Sequence, residues 1–197
     1  MAGRPRSFEP DEVVNGAVEL FWSNGYGGTS VPHLVRELGI CRQSLYKTFG
    51  DKRALFLVAL ERYGSRRDEP LRRLLAAQGS PLENVRTVVR SWAHHAGSCG
   101  GRGCLVVRVI AELDASDAEL CELASRLVEQ LEVSFVEALT RARELGELRR
   151  ASCPQRLARL LTVGVHGIAL LSRLPDSQAR IRDSVSSLLE LVEANGA

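Results

Sequence analysis

The feature that most limits what this chain can fold into is TSVPHLVRELGICRQSLYKTFGDKRALF, residues 29–56. Its apolar residues recur at helical spacing: Val31, Leu34, Val35 and Leu38, then Leu45 and Phe49. Gly39 and Gly50 are the stops. The spacing predicts a short helix after Ser30, a turn Leu38-Gly39-Ile40-Cys41, and a second short helix from about Arg42 to Thr48. Gly39 can take the positive φ that such a turn needs, and Leu38 and Ile40 supply packing beside it. Helix, glycine-containing turn and short helix make a helix-turn-helix. The second helix turns Leu45 and Phe49 inward, which leaves Arg42, Gln43, Ser44, Tyr46, Lys47 and Thr48 for the other face. Those side chains can reach base edges and phosphates in a major groove. Between residues 39 and 53, Arg42, Lys47, Lys52 and Arg53 stand against one acid, Asp51, a local surplus that suits phosphate.

The rest of the chain agrees with a helical protein. No short alternating apolar runs bounded by hairpin turns occur, so the reading is all-α with about nine helices. A first helix starts near Pro10, with Asp11 and Glu12 at the positive end of its dipole, and stops at Asn24-Gly25. Asp51 caps a long fourth helix beginning at Lys52, which Pro70 is expected to kink or break near RRDEP. SPLE at 80–83 and SDAE at 116–119 read as capping boxes with Ser80 and Ser116 as caps. SCPQ at 152–155 opens a helix through RLARLLTVGVHGIALLSRL, Pro175 closes it, and Asp176 is expected to cap the last one.

Composition narrows the function classes. The chain has 197 residues and 45% hydrophobic residues, enough for a core, yet its net charge is only +2. Any nucleic-acid surface is therefore a local patch. No apolar run approaches the roughly 18 residues that span a bilayer. MAGRPRSFEP has no apolar segment of a signal peptide, so a cytoplasmic location is expected. Five cysteines, at 41, 99, 104, 121 and 153, are an odd number and are expected to be largely reduced there. No nucleophile elbow, phosphate loop or His/Glu metal motif is present, so no catalytic residue, metal or cofactor is expected.

The pattern FxxxGYxxTSVxxLxxxLGIxxxSLYxxFGDKxxLF, covering roughly residues 8 to 63, resembles the DNA-binding domain of the TetR family of transcriptional regulators. The resemblance implies a helix-turn-helix domain at 1–52 and a ligand-binding and dimerisation domain at 53–197. It implies a homodimer on a near-palindromic operator, usually a repressor, released when a small molecule shifts the population between two dimer geometries. An activator is the alternative within transcription. By position, Arg42 and Gln43 are the implied base readers. Thr29, Ser30, Ser44, Tyr46, Lys47 and Thr48 are implied operator contacts, and Lys52 matches the family's phosphate-binding lysine at a helix N-terminus. Cys41 departs from the pattern, since a serine or threonine usually caps the recognition helix. Arg4 and Arg6, in GRPR, are either minor-groove or backbone contacts or part of a frayed tail.

The resemblance also implies that the last two helices pair with their copies in a four-helix bundle. LLTVGVHGIALL suits this, being apolar on more than one face, with Gly164 and Gly167 allowing close approach. The effector is not identified. Candidate pocket residues are Trp92, His94, His95, Val107, Phe135 and His166, each of which also reads as core packing or surface. With aromatics at 5%, there is no sign of a large aromatic cage for a cation.

SCGGRGC, residues 98–104, raises a separate question. His94, His95, Cys99 and Cys104 fit no compact metal-ligand pairing. Cys104 reads as opening the sixth helix beside Arg102, a setting that lowers a thiol pKa, with Cys99 as a resolving thiol. The stretch GCLVVRVIAEL is similar to that of TetR-like regulators responding to electrophiles or oxidants. A thiol sensor acting through Cys104 and a structural turn with a buried small thiol both remain open at this point.

Overall fold

The computed structural model describes residues 8–98 and 102–197, the side chains of 93 and 95–98 excepted. Among these residues there are nine α-helices and no strand, in line with the all-α reading; an isolated antiparallel bridge joins Leu148 to Gly196. None of the helices is long and apolar enough to cross a membrane. The chain divides into two compact units, Met1–Ser65 and Arg66–Ala197. The division lies inside the fourth helix rather than after residue 52. Leu55, Phe56, Ala59, Leu60 and Tyr63 are buried in the first unit, and the Phe56 ring meets Phe21 edge-on at 4.9 Å.

In the first unit, α1 (Pro10–Gly28) begins at proline, with Asp11 and Glu12 in its first turn. It breaks at Gly25, whose φ of 75° and ψ of 173° are non-helical, as the Asn24-Gly25 stop predicts. Ser30 caps α2 (Val31–Leu38), its hydroxyl accepting the His33 N–H at 3.3 Å. Gly39 follows at φ 64° and turns the chain into α3 (Arg42–Phe49). Asp51 then caps α4 (Lys52–Leu75), its carboxylate accepting the Ala54 N–H at 2.7 Å. Phe21, Leu34, Leu45, Leu55 and Leu60 are fully buried in the core of the unit. Each contributes about 2 kcal/mol of burial, so the two short helices of the reading head are held mainly by packing.

The second unit contains the end of α4 with α5 (Pro81–Ser98), α6 (Leu105–Glu112), α7 (Ala118–Glu144), α8 (Pro154–Leu171) and α9 (Gln178–Ala194). Val85, Val89, Leu131, Phe135, Leu161, Val165 and Val192 belong to its continuous core. Three expectations need correction. Pro70 does not break α4, which runs on to Leu75; the proline is exposed, and Leu75 beyond it is buried in the core. Asp117, not Ser116, caps α7, because a carboxylate accepting the Leu120 N–H also meets the helix dipole. Ser177, not Asp176, stands at the start of α9; Asp176 is held at φ 56° in the preceding turn.

The Ser80 capping box forms in half. Ser80 accepts the Glu83 N–H at 3.1 Å, but the Glu83 carboxylate pairs with Arg86 and Arg90. Glu147 adds to the helix start from across the unit, accepting the Ser80 hydroxyl at 2.8 Å and the Leu82 N–H at 3.0 Å. Sequence spacing shows the cap and not this partner, which lies 67 residues away.

Candidate functional site

The outer face of α3 is set by one anchor. Leu45 is fully buried, so Gln43, Tyr46 and Lys47, one or two positions away from it, are turned outward. Arg42, Gln43, Tyr46 and Lys47 are exposed, whereas Ser44 and Thr48 are half-buried at the flanks. Arg42 Nη2 lies 3.4 Å from the Tyr46 hydroxyl, and the guanidinium stands 5.6 Å from the Tyr46 ring centroid. This i,i+4 pair holds a planar cation and a phenol side by side on the exposed face.

The helix starts on a thiol. Cys41 Sγ accepts the Ser44 N–H at 3.4 Å and lies 3.2 Å from the Ser44 hydroxyl, so the weak cap is nevertheless formed. Those contacts, the Ser44 hydroxyl first and its N–H second, hold the thiol below its ordinary pKa. Ser30, at the start of α2, is exposed.

Thr29 differs from the sequence expectation. It is fully buried, and its hydroxyl donates to the Gly25 carbonyl at 2.7 Å. That bond is spent on the backbone break that ends α1, so Thr29 does not share the exposed face. Lys52, in the first turn of α4, donates from Nζ to the Tyr26 carbonyl at 3.0 Å and sits 3.9 Å from the Tyr26 ring centroid. The ammonium is thereby positioned with donors left over, since it carries three. Arg4 and Arg6 lie outside the described residues.

In the second unit, two of the pocket candidates come together. The Trp92 and His166 rings meet edge-on at 5.6 Å. Phe135 is a fully buried core residue, Val107 is half-buried and His94 is exposed; the His95 side chain lies outside the described residues. The group also contains residues absent from the sequence reading. The Arg67 guanidinium lies 5.3 Å from the Trp92 ring centroid and binds the fully buried Asp68 through two hydrogen bonds, at 2.6 and 2.9 Å. Its Nη1 donates to Cys104 Sγ at 3.1 Å. Only burial reveals this pair, because within RRDEP it reads as a solvated charge run.

Cys104 is 5% exposed and caps α6 without a side-chain cap bond. The arginine at its sulfur is Arg67, reached through the fold, whereas the sequence pointed to its neighbour Arg102. Of the two open readings, the geometry of this residue is that of the buried small thiol. Cys99 lies outside the described residues. His166 Nδ1 lies 2.7 Å from the Thr162 carbonyl, and its Nε2 is buried with no hydrogen-bond partner among the described residues. Burial, then the Arg67 charge, push its pKa down to about 4, against the opposing pull of the Thr162 carbonyl and Asp68.

A helix-turn-helix with a polar, basic outer face, carried on a chain that continues into a separate helical unit, defines a DNA-binding regulator. Residues 13–59 match the family of bacterial regulatory proteins of the tetR type, and residues 81–188 match the tetracyclin repressor-like C-terminal domain. The HTH-type transcriptional regulator YezE of Bacillus subtilis is 31% identical over 193 residues, covering 97% of this chain and 100% of its own length. The HTH-type transcriptional repressor BdcR of Escherichia coli is 29% identical over 152 residues, 77% of this chain and 74% of that one. Among solved structures, a cysteine mutant of the TetR family regulator CifR complexed with 26-base-pair operator DNA superposes with a TM-score of 0.84. It is 27% identical, over 95% of this chain and 98% of that chain. The chain belongs to the TetR family of transcriptional regulators.

Proposed function

We propose that the chain is a homodimeric repressor that reads a near-palindromic operator with α3 and is released when a small molecule binds the second unit. The observation that carries this reading is the outer face of α3, where Arg42, Gln43, Tyr46 and Lys47 stand exposed over a fully buried Leu45. Arg42 and Gln43 have the donors and acceptors to read base edges. Ser30, Ser44, Lys47, Thr48 and Lys52 suit phosphate and sugar contacts. Repression is supported by relatives such as BdcR, whose name describes a repressor, and by CifR, which is complexed with its operator.

The dimer reading rests on α8 and α9. Val163, Leu170, Leu174 and Leu191 are exposed apolar residues, Val163 at 69%, and they accompany an open groove lined by Gly164, Gly167 and Leu188. Nothing lies within 4 Å of a Cβ placed at Gly167. Large apolar residues beside a bare backbone fit a second copy of the same two helices. The division at 1–52 and 53–197 follows these two roles: operator reading ends with Lys52 at the start of α4, and effector binding with dimerisation belongs to the chain after it. A gel shift against DNA upstream of the protein's own coding region tests the proposal. Salt-sensitive, sequence-preferring binding by a dimer is expected. Absence of salt-sensitive DNA binding rejects it.

A further inference from the structure

The described residues contain two buried polar side-chain atoms on one face of α8 that lack partners, Thr162 Oγ1 and His166 Nε2. The two residues are one helical turn apart and so share that face. Buried polar groups are ordinarily hydrogen-bonded, and each one left without a partner carries a free-energy cost. Their chemistry is complementary. The Thr162 carbonyl can only accept, so the proton of the His166 ring is on Nδ1, and Nε2 presents a lone pair. The Thr162 hydroxyl can donate.

The neighbours restrict what else a ligand can be. The Trp92 ring lies edge-on to His166 and offers an aromatic surface. Arg67, whose guanidinium stands 5.3 Å from the Trp92 ring centroid, is already bound to Asp68 and Cys104. Among the described residues, an anion finds Arg67 already paired with Asp68, and a cation finds that carboxylate already paired with Arg67.

We propose that Thr162, His166 and Trp92 form the effector-reading group of this regulator and that it takes an uncharged aromatic hydroxyl compound, its hydroxyl donating to His166 Nε2 and accepting from Thr162 while its ring packs on Trp92. This rests on the effector-released reading above and gives that effector a chemical class. A hydroxyl satisfies both atoms at once, donating to one and accepting from the other. A ring supplies the apolar contact that the indole rewards. The neutral state of His166, held by burial, keeps the Nε2 lone pair available at physiological pH.

The test uses the full-length dimer carrying Trp22→Phe, which leaves Trp92 as the only tryptophan of the two. Trp92 fluorescence is titrated with 4-ethylphenol, with its methyl ether 4-ethylanisole, and with 4-ethylbenzoate. Saturable quenching by the phenol is expected, with the ether and the carboxylate weaker by about tenfold or more. His166→Phe should erase the preference for phenol over ether, whereas Thr162→Val, which removes a donor that both oxygens can use, should weaken phenol and ether together. His166→Gln, whose amide oxygen can accept, should restore part of it. Equal binding of phenol and ether, no saturable quenching by the phenol, or a preference that survives His166→Phe overturns the proposal. Operator binding is measured on the same samples. If DNA binding persists without phenol binding, only this inference fails; if DNA binding is absent, the regulator reading itself fails.

Discussion

The Arg67 guanidinium donates to the Cys104 sulfur at 3.1 Å while two further bonds tie it to the fully buried carboxylate of Asp68. A thiol so enclosed is a hydrogen-bond acceptor in a packed interior before it is a reagent. In native protein, Cys41 and Cys153, both exposed, should react with a maleimide first, and Cys104 only on unfolding. Mass-spectrometric mapping of the labelled sites reads this. Rapid native labelling of Cys104 would reinstate it as a candidate sensor of electrophiles or oxidants.

Asp68 is the more fragile member of that group. Removing one partner from a buried ion pair leaves the other charge uncompensated, at a cost of about 3–5 kcal/mol. Asp68→Ala should therefore be severely destabilising in chemical denaturation. Asp68→Asn, which retains hydrogen-bond acceptance at one position, should cost less. Equal stability of Asp68→Ala and the parent would mean that Arg67 finds another anion.

His166 gives the second unit a pH dependence. Its folded pKa of about 4 lies below the ordinary value near 6.5, so the unfolded chain binds the proton first. Stability is therefore fully present above about pH 6.5 and falls as pH drops toward 4. Between pH 7 and pH 5 this one residue accounts for a loss of about 2 kcal/mol. His166→Gln should flatten that part of the stability profile. An unchanged slope would place the acid sensitivity elsewhere.

On the reading head, contacts of two kinds should separate in binding experiments. Lys47→Ala should weaken all DNA sequences about uniformly and lower the salt slope by about 1. Gln43→Ala should relax sequence preference while leaving the salt slope nearly unchanged. Thr29→Val, which removes a hydroxyl spent on Gly25, should lower thermal stability without altering the preferred sequence. The operator's response to each substitution is read by quantitative gel shift across a salt series.

Cys41 offers a test in the opposite direction. A serine is a better N-cap than a thiol, so Cys41→Ser should raise the melting temperature, by roughly 2 °C. The parent thiol, held below its ordinary pKa by Ser44, should also alkylate faster than Cys153 near neutral pH. Slower alkylation of Cys41 than of Cys153 would show that the Ser44 contacts do not act on it in solution.

The helices and most of their ends were legible because caps and stops are local. Ser30, Gly39, Asp51 and Ser80 act within four residues of themselves. Where the reading slipped, two adjacent residues competed for one cap, as Ser116 and Asp117 did, or packing overrode a local preference, as beyond Pro70. The face of α3 was legible from the spacing around Leu45. Thr29 was misplaced because nothing local distinguishes a hydroxyl aimed at DNA from one aimed at the carbonyl of Gly25. The Arg67–Asp68–Cys104 group was out of reach for a deeper reason. Cys104 lies 37 residues from the adjacent Arg67 and Asp68, and burial turns what looks like surface charge into interior structure.

One glycine of SCGGRGC carries a consequence for motion. Gly103 sits at φ 66°, and a Cβ there would stand 2.9 Å from the Ala169 carbonyl oxygen and 2.8 Å from the Arg173 side chain. With no Cβ on Gly103, the start of α6 comes close to the Ala169 carbonyl of α8, with the aliphatic part of the Arg173 side chain beside the contact. A layer of side chains can yield by changing rotamers, whereas backbone against backbone has almost nothing to compress. A displacement of α6 at this point therefore bears directly on the backbone of α8, the helix that carries both His166 and Val163, while the Arg173 side chain can turn aside.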